Sequence, residues 1–455
     1  MKYAVFLSIF RRLGRFGKQM TTKALIRQMT TRFNFNGNAR SLCGTDILVC
    51  VCALASSLFF ACETRTPEQP LAHTKASTVY SSLLQMQDLD MGMTLCRIQN
   101  PWQPEQVTMQ YLLIPDKDTA SFSQRDYEDL EKDFGPMQVI VTPLQRQTIT
   151  ASCHARLLQD LGALPTIGVI CDADYISAPD LREALRNVPD GGLSVSPNAE
   201  VLLAANSDAI WISPYETNSR TIAEAILPQL PIIYCADYME NTPLGRAEWM
   251  RFYGRLVGLG ERADSLFKIR EAAYIGLAEA AALTADSTVQ TTKPADWDTA
   301  GQDNSKKSDS SNQKKSTVLA DFPYGATWYV PGGRSTMSRL YQDAGFVYPW
   351  ADDTHGGSLA LSPEAVFAKA QNADCWIIKY YSPERDWTLQ DFVSQSNLYS
   401  QFRAAQSGSV YGCNTALSDY FETAPFRPDL ILSEMRHILL QEDDSLQYFH
   451  RLSER

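Results

Sequence analysis

Apolar residues recur along this chain with two different periods, and the change from one to the other marks its elements. Short apolar runs with turn residues on either side, MTLCRIQNPW (93–102) and VTMQYLLIP (107–115), predict two strands joined by a turn that contains Pro101 and Pro104. MQVIVTP (137–143) predicts a buried strand. The stretch that follows, TASCHARLLQDLGA, spaces Ala151, Ala155, Leu158 and Leu161 for one face of a helix, with Gly162 as its stop. Strands are predicted again at 166–171, 208–213 and 231–235, with helical patterns at 198–205 and 221–227 between them. Strands alternating with helices imply a largely parallel sheet, so residues 78–240 are expected to form one α/β lobe.

A helical pattern then leaves this lobe over residues 241–284. Thr242 can cap it, Pro243 suits the first helical position, and Ala247, Met250, Tyr253 and Val257 share a face. Residues 285–316 are rich in Ser, Lys, Asp and Gln with almost nothing to bury, which predicts a disordered polar insertion. Strand and helix signals restart in TVLADF, SRLYQDAG, SPEAVFAKAQ, ADCWIIKY and RPDLILSEMRHILL, giving a second α/β lobe over 317–455. The expected fold class is therefore α/β: two Rossmann-like lobes joined by a long backbone helix, with a ligand cleft between them.

Residues 1–61 have a different character. Nine Lys and Arg residues precede the apolar run Ile47–Ala61, which holds no charge and is followed at once by the polar segment Glu63–Gln69. A basic region, an apolar stretch too short to span comfortably and an abrupt polar exit describe an export signal. Leu58–Cys62 resembles a lipobox, in which the cysteine is acylated and becomes the mature N-terminus. Cys62 is thus the expected lipidation site, residues 62–77 the polar tether, and the cell-envelope membrane the expected location, facing the periplasm. Phe59 and Phe60 are bulkier than the usual pattern, and Met20 and Met29 are alternative starts for so long a leader.

The formal net charge of -11 argues against a nucleic-acid partner, and 44% hydrophobic content is enough for two folded cores. Six cysteines beyond Cys62 are scattered without a C-x-x-C pair, and the five histidines show no metal-ligand spacing, so no resident metal or cofactor is expected. Neither G-x-S-x-G nor G-x-x-x-x-G-K-[ST] is present, so no catalytic residue is assigned.

The ordered set VTPLQRQTITASCHARLLQDLGAL, SPNAEVLLAANSDAIWISPYE, DYMENTPLGRAEWMRFYGRLVG, ATWYVPGGRSTMSRLYQDAGFVYPW and SLALSPEAVFAKAQNADCWI resembles the substrate-binding lipoproteins of ABC importers for ferric siderophores, haem and cobalamin. The resemblance covers most of 95–440; the long leader and the 285–316 insertion depart from it. It implies a monomer that captures a metal chelate and hands it to an ABC permease driven by a separate ATPase. It also implies docking through one acid on each lobe, carried here to Glu216 and Glu422. A chelate needs flat apolar contact plus a few cations. The loop GATWYVPGGRST offers Trp328, Tyr329 and Arg334 behind two glycines, with Arg146, Tyr175 and Tyr420 as further candidates, and Phe421 beside Tyr420 at the rim. The same residues also fit a packed Trp and solvated arginines. Arg246, Glu248 and Trp249 are read as knitting the backbone helix to the first lobe. Two other classes stay open at this point: a chelatase-like enzyme using His154 or His355, and a surface adhesin.

Overall fold

The computed structural model describes residues 78–213, 230–285 and 316–453. Cys62, the leader and tether, Glu216, the 221–227 helical pattern and nearly all of the 285–316 insertion lie outside the described residues.

The first part of the chain builds two sheets rather than one. Strands β1 (Leu84–Asp88), β2 (Thr94–Gln99), β3 (Val107–Pro115) and β4 (Gln138–Thr142) lie in that order; β1, β2 and β3 are antiparallel and β4 runs parallel to β3. The β3 to β4 crossover is helix α1 (Gln124–Phe134), started by a capping box between Ser123 and Asp126. After Pro143 the chain turns into a second sheet of β5 (Gln147–Ile149), β6 (Ile167–Ile170), β7 (Ala209–Ile212) and β8 (Ile232–Tyr234), all parallel, in the order β6-β5-β7-β8. Every residue of β7 is buried, as a strand covered on both faces requires. The helices of this sheet are α2 (Ser152–Leu161), α3 (Pro179–Leu185) and α4 (Ala199–Ala204). Gly162 ends α2 in the left-handed region at φ 75°, the stop its position suggested.

The helical segment after the first lobe is broken. It consists of α5 (Pro243–Glu248), α6 (Met250–Leu256) and α7 (Gly260–Ala285), with Thr242 Oγ1 capping α5. The interruption before α7 falls at Gly258, whose φ of 73° ends the helix where Pro143 packs against it. Along α7, Ala263 and Phe267 enter the first lobe's core, whereas Tyr274 enters the second's. Between them Arg270 is 5% exposed; it donates to Asp160 Oδ2 (2.6 Å) and to the Phe426 carbonyl (2.9 Å). One helix is therefore built into both cores, which opposes free hinging.

The second lobe contains β9 (Val318–Ala320), β10 (Trp328–Pro331), α8 (Thr336–Ala344), β11 (Ser358–Leu361), α9 (Pro363–Ala370), β12 (Cys375–Tyr380), α10 (Leu389–Val393), α11 (Arg403–Gln406), β13 (Val410–Asn414), α12 (Tyr420–Thr423), α13 (Pro428–Leu440) and β14 (His450–Arg451). Its main sheet runs β14-β13-β12-β9, parallel except for β14; β10 and β11 form a separate antiparallel pair. Trp328 and Trp376 stack in its core, centroids 5.7 Å apart. Two buried carboxylates fasten the start of the described chain to the helical segment. Glu248 accepts the N–H groups of Val79, Tyr80 and Ser81, and Glu240 accepts those of Ser82 and Leu83. Among the described residues no helix is long and apolar enough to cross a membrane.

Candidate functional site

In an open parallel sheet the loops leaving the C-terminal ends of the strands are free to form a site. A cavity of about 340 Å³ opens at that edge of the β6-β5-β7-β8 sheet. Thr150 to His154 follow β5, Asp172 and Tyr175 follow β6, Ser213 follows β7, and Cys235, Asp237 and Tyr238 follow β8; all line it, with Ser194. Arg246 reaches it from the first turn of α5, and Phe421 covers it from α12 of the second lobe. The cavity thus lies between the lobes.

Its floor is a buried polar network. Asp237 is 2% exposed and accepts from His154 Nε2 (3.0 Å), Tyr253 Oη (2.8 Å) and Arg246 Nε (3.2 Å). Burial would raise this carboxyl, but the His154 and Arg246 charges and the hydrogen bonds outweigh it and hold Asp237 well below the usual carboxylate range. Tyr253 stacks on Trp211 (4.8 Å) and meets the His154 ring edge-on (5.0 Å), so apolar packing fixes the network from below. The other walls carry hydroxyls: Ser213 Oγ pairs with Tyr238 Oη (2.7 Å), and Thr150 Oγ1 donates to the Trp211 carbonyl (2.6 Å). Burial pushes the Cys153 thiol up to about 12 and raises the Cys235 thiol well above its ordinary value, so both are neutral thiols rather than thiolate nucleophiles or ligands. Among the described residues no cluster of three His, Cys, Asp or Glu side chains is arranged to hold a metal.

The sequence candidates are distributed unevenly around this site. Tyr175 lines the cavity and is 71% exposed, and Phe421 covers it. Trp328 does not line it: the indole is fully buried against Trp376, and its Nε1 donates to the Ala320 carbonyl (3.0 Å). Tyr329 and Arg334 are exposed but stand outside the cavity lining. The glycines before Arg334 serve close packing, since a Cβ on Gly333 would meet the Asp353 carbonyl at 2.2 Å. Arg146 stands at the N-terminal end of β5, opposite the cavity, with Nη1 on the Ala205 carbonyl. Tyr420 is buried among Phe421, Tyr448 and Phe449.

Glu422 is not an exposed lobe-tip acid. It is 2% exposed, and Ser177 N–H of the first lobe donates to its Oε1 (2.7 Å). Beside it Arg156 bridges Asp180 of its own lobe and Asp419 of the other, each at 2.8 Å. Glu248 and Trp249 have the structural role read for them, whereas Arg246 belongs to the cavity. His154 also lines it, while His355 is exposed and pairs with Asp353. Asp172, Ser194, Ser213, Asp237 and Tyr238 carry no motif; their only signal was position just beyond predicted strands of a parallel sheet, or in the loops between them.

Comparison with known proteins agrees with this architecture. Residues 295–417 match the family model described as periplasmic binding protein. An uncharacterized lipoprotein of Methanocaldococcus jannaschii is 22% identical over 320 residues, 67% of each chain. The crystal structure of a periplasmic haem binding protein from Pseudomonas aeruginosa superposes with a TM-score of 0.51 at 15% identity, covering 69% of this chain and 99% of that one. A periplasmic vitamin B12 binding protein of Vibrio cholerae gives 0.45 at 14% identity, over 66% and 98%. In fold, and in the sequence of its second half, the chain resembles the two-lobed periplasmic binding proteins.

Proposed function

We propose that this chain is the capture component of an ABC importer, holding a metal chelate such as a ferric siderophore, haem or cobalamin between its lobes for a permease driven by a separate ATPase. The observation that carries this reading is the cavity at the C-terminal edge of a parallel sheet, covered by Phe421 from the other lobe, with α7 set into both cores. Such a site is suited to hold a ligand and release it to a partner, with no bond made or broken. The haem binding named for the Pseudomonas aeruginosa neighbour supports the same ligand class.

Cys62 is proposed as the lipid anchor that keeps the protein at the envelope membrane. Several acyl chains on one cysteine hold stably where a single chain would not. Two measurements test these statements. Calorimetric titration of residues 64–455 with haem, cobalamin and ferric siderophores is expected to give saturable one-to-one binding to one of them, and uniform failure in a folded protein refutes the capture reading. Radiolabelled palmitate is expected to enter the full chain and not Cys62→Ala; equal labelling of both refutes the anchor.

A further inference from the structure

One run of chain supplies much of the cavity floor, and it is held at both ends from outside. Cys235, Asp237 and Tyr238 follow β8, Arg246 stands in α5, and all four line the cavity. Two buried carboxylates bracket them: Glu240, directly after the 3₁₀ turn Asp237–Met239, and Glu248, the last residue of α5. Neither lines the cavity. Both accept instead from a single stretch, Val79–Leu83. Glu248 accepts the N–H groups of Val79 (2.9 Å), Tyr80 (2.8 Å) and Ser81 (2.9 Å), with Arg251 Nη1 at 3.1 Å. Glu240 accepts the Ser81 hydroxyl, the Ser82 N–H (3.0 Å) and hydroxyl (2.9 Å), the Leu83 N–H (3.1 Å) and Trp249 Nε1 (2.8 Å). Between the two carboxylates the stretch crosses α5 at Gly245, the residue before Arg246, where a Cβ would lie 2.9 Å from the Tyr80 carbonyl oxygen. The Tyr80 side chain packs against both lobes' cores, and its hydroxyl donates to Glu271 of α7 (2.6 Å). The Thr336 hydroxyl of the second lobe donates to the Glu240 carbonyl (2.9 Å), so both lobes meet at this point.

We propose that Val79–Leu83 is a strap that positions the cavity floor, with Glu240 and Glu248 as positioning residues acting through Asp237, Tyr238 and Arg246. A carboxylate that accepts several successive N–H groups fixes the register of the chain it holds, which apolar packing alone does not. The strap lies outside the strands of both lobes and follows directly on residues 62–77, the expected tether. The floor is thus set by the chain at the point where it joins the body. Loosening the strap lets the floor open locally while the two cores stay folded, because its bonds are separate from the core contacts. The consequence for ligand capture rests on the reading above; the position of the floor is measured without a ligand.

Two buried cysteines of the full chain serve as reporters: Cys235 on the floor, and Cys375 in the second lobe's core as reference. Their modification by methyl methanethiosulfonate is followed by mass spectrometry in wild type, Glu240→Gln, Glu248→Gln, Ser81→Ala and Gly333→Ala, with unfolding midpoints recorded. Each glutamine turns one accepting oxygen into an N–H₂ group that faces donors, and Gly333→Ala lowers stability away from the strap. The expected result is that Cys235 reacts about 10-fold faster in the glutamine variants while Cys375 is unchanged. Gly333→Ala should leave the ratio of the two rates as in wild type. Ser81→Ala keeps both carboxylates and removes one hydroxyl, so it decides the matter should the glutamine variants not fold; a rise of about threefold at Cys235 alone is expected. Equal acceleration of both cysteines, or a wild-type rate at Cys235 in folded variants, overturns the strap. The same proteins are titrated with haem and cyanocobalamin: binding weakened in Glu240→Gln and kept in Gly333→Ala is expected, and equal affinity in both overturns the positioning role. Failure of folded wild type to bind either bears on the capture reading, and the thiol rates still decide the strap.

Discussion

Glu422 provides the sharpest test of the structure, because an exposed docking acid and a buried lobe contact respond differently to two substitutions. Glu422→Ala removes the acceptor of the Ser177 N–H, a charge-assisted bond of 2.7 Å at a residue 2% exposed. Losing such a bond costs about 1.5–3 kcal/mol. Relief of the buried charge, and water entering the vacated space, bring the expected net loss to about 1–2 kcal/mol. Glu422→Gln keeps an oxygen for the Ser177 N–H and removes the charge, so it should stay within about 0.5 kcal/mol of wild type at neutral pH. Burial pushes the carboxyl above its ordinary value of 4.5. Because the folded form holds this proton more tightly than the unfolded chain, its contribution to stability is full below 4.5 and is lost as pH rises through the raised value. Urea unfolding of the three proteins from pH 4 to pH 8 measures both effects. An alanine variant within about 0.5 kcal/mol of wild type, the usual outcome for a surface residue, would refute the lobe contact. So would a glutamine variant with an unchanged pH slope.

Three further perturbations follow from buried or crowded groups. Arg270→Met should destabilise by about 2–4 kcal/mol in chemical denaturation, since Asp160 and the Phe426 carbonyl lose their shared donor; a loss under about 1 kcal/mol would show that α7 is held by packing alone. Gly333→Ala should cost at least about 1–3 kcal/mol in thermal unfolding, because three carbonyl oxygens lie within 2.6 Å of the added Cβ; an unchanged midpoint would refute that crowding. Asp237→Asn should destabilise by about 2–3 kcal/mol at pH 7. Its carboxyl is held below 3.8 when folded, so this stability is present above 3.8 and lost as pH falls through the lowered value, and the gap to wild type should narrow in acid. A gap independent of pH would sink that assignment.

Local pattern was sufficient wherever the physics is local. The apolar runs at 137–143 and 208–213 became strands, and the spacing of Ala155, Leu158 and Leu161 became a helix that stops at Gly162, because periodicity and a left-handed glycine act within a few residues. The α/β class follows from the alternation of these elements. Which side chains face the cavity is a different kind of question. Trp328, Arg334 and Tyr420 have the right chemistry for a chelate, but Trp328 stacks on Trp376 across 48 residues of chain, and Tyr420 packs against Phe449. Neither contact has a sequence period. Arg246 and Asp237 look like ordinary helix-start residues until β5 and α6 bring His154 and Tyr253 to them, and Glu422 becomes a lobe contact only when α12 meets the start of α3. Sequence by itself determined the strongly patterned elements and their alternation but not β1, α1, β5 or α3; the tertiary structure decided which ends converge, because burial and charge pairing depend on neighbours distant in the chain.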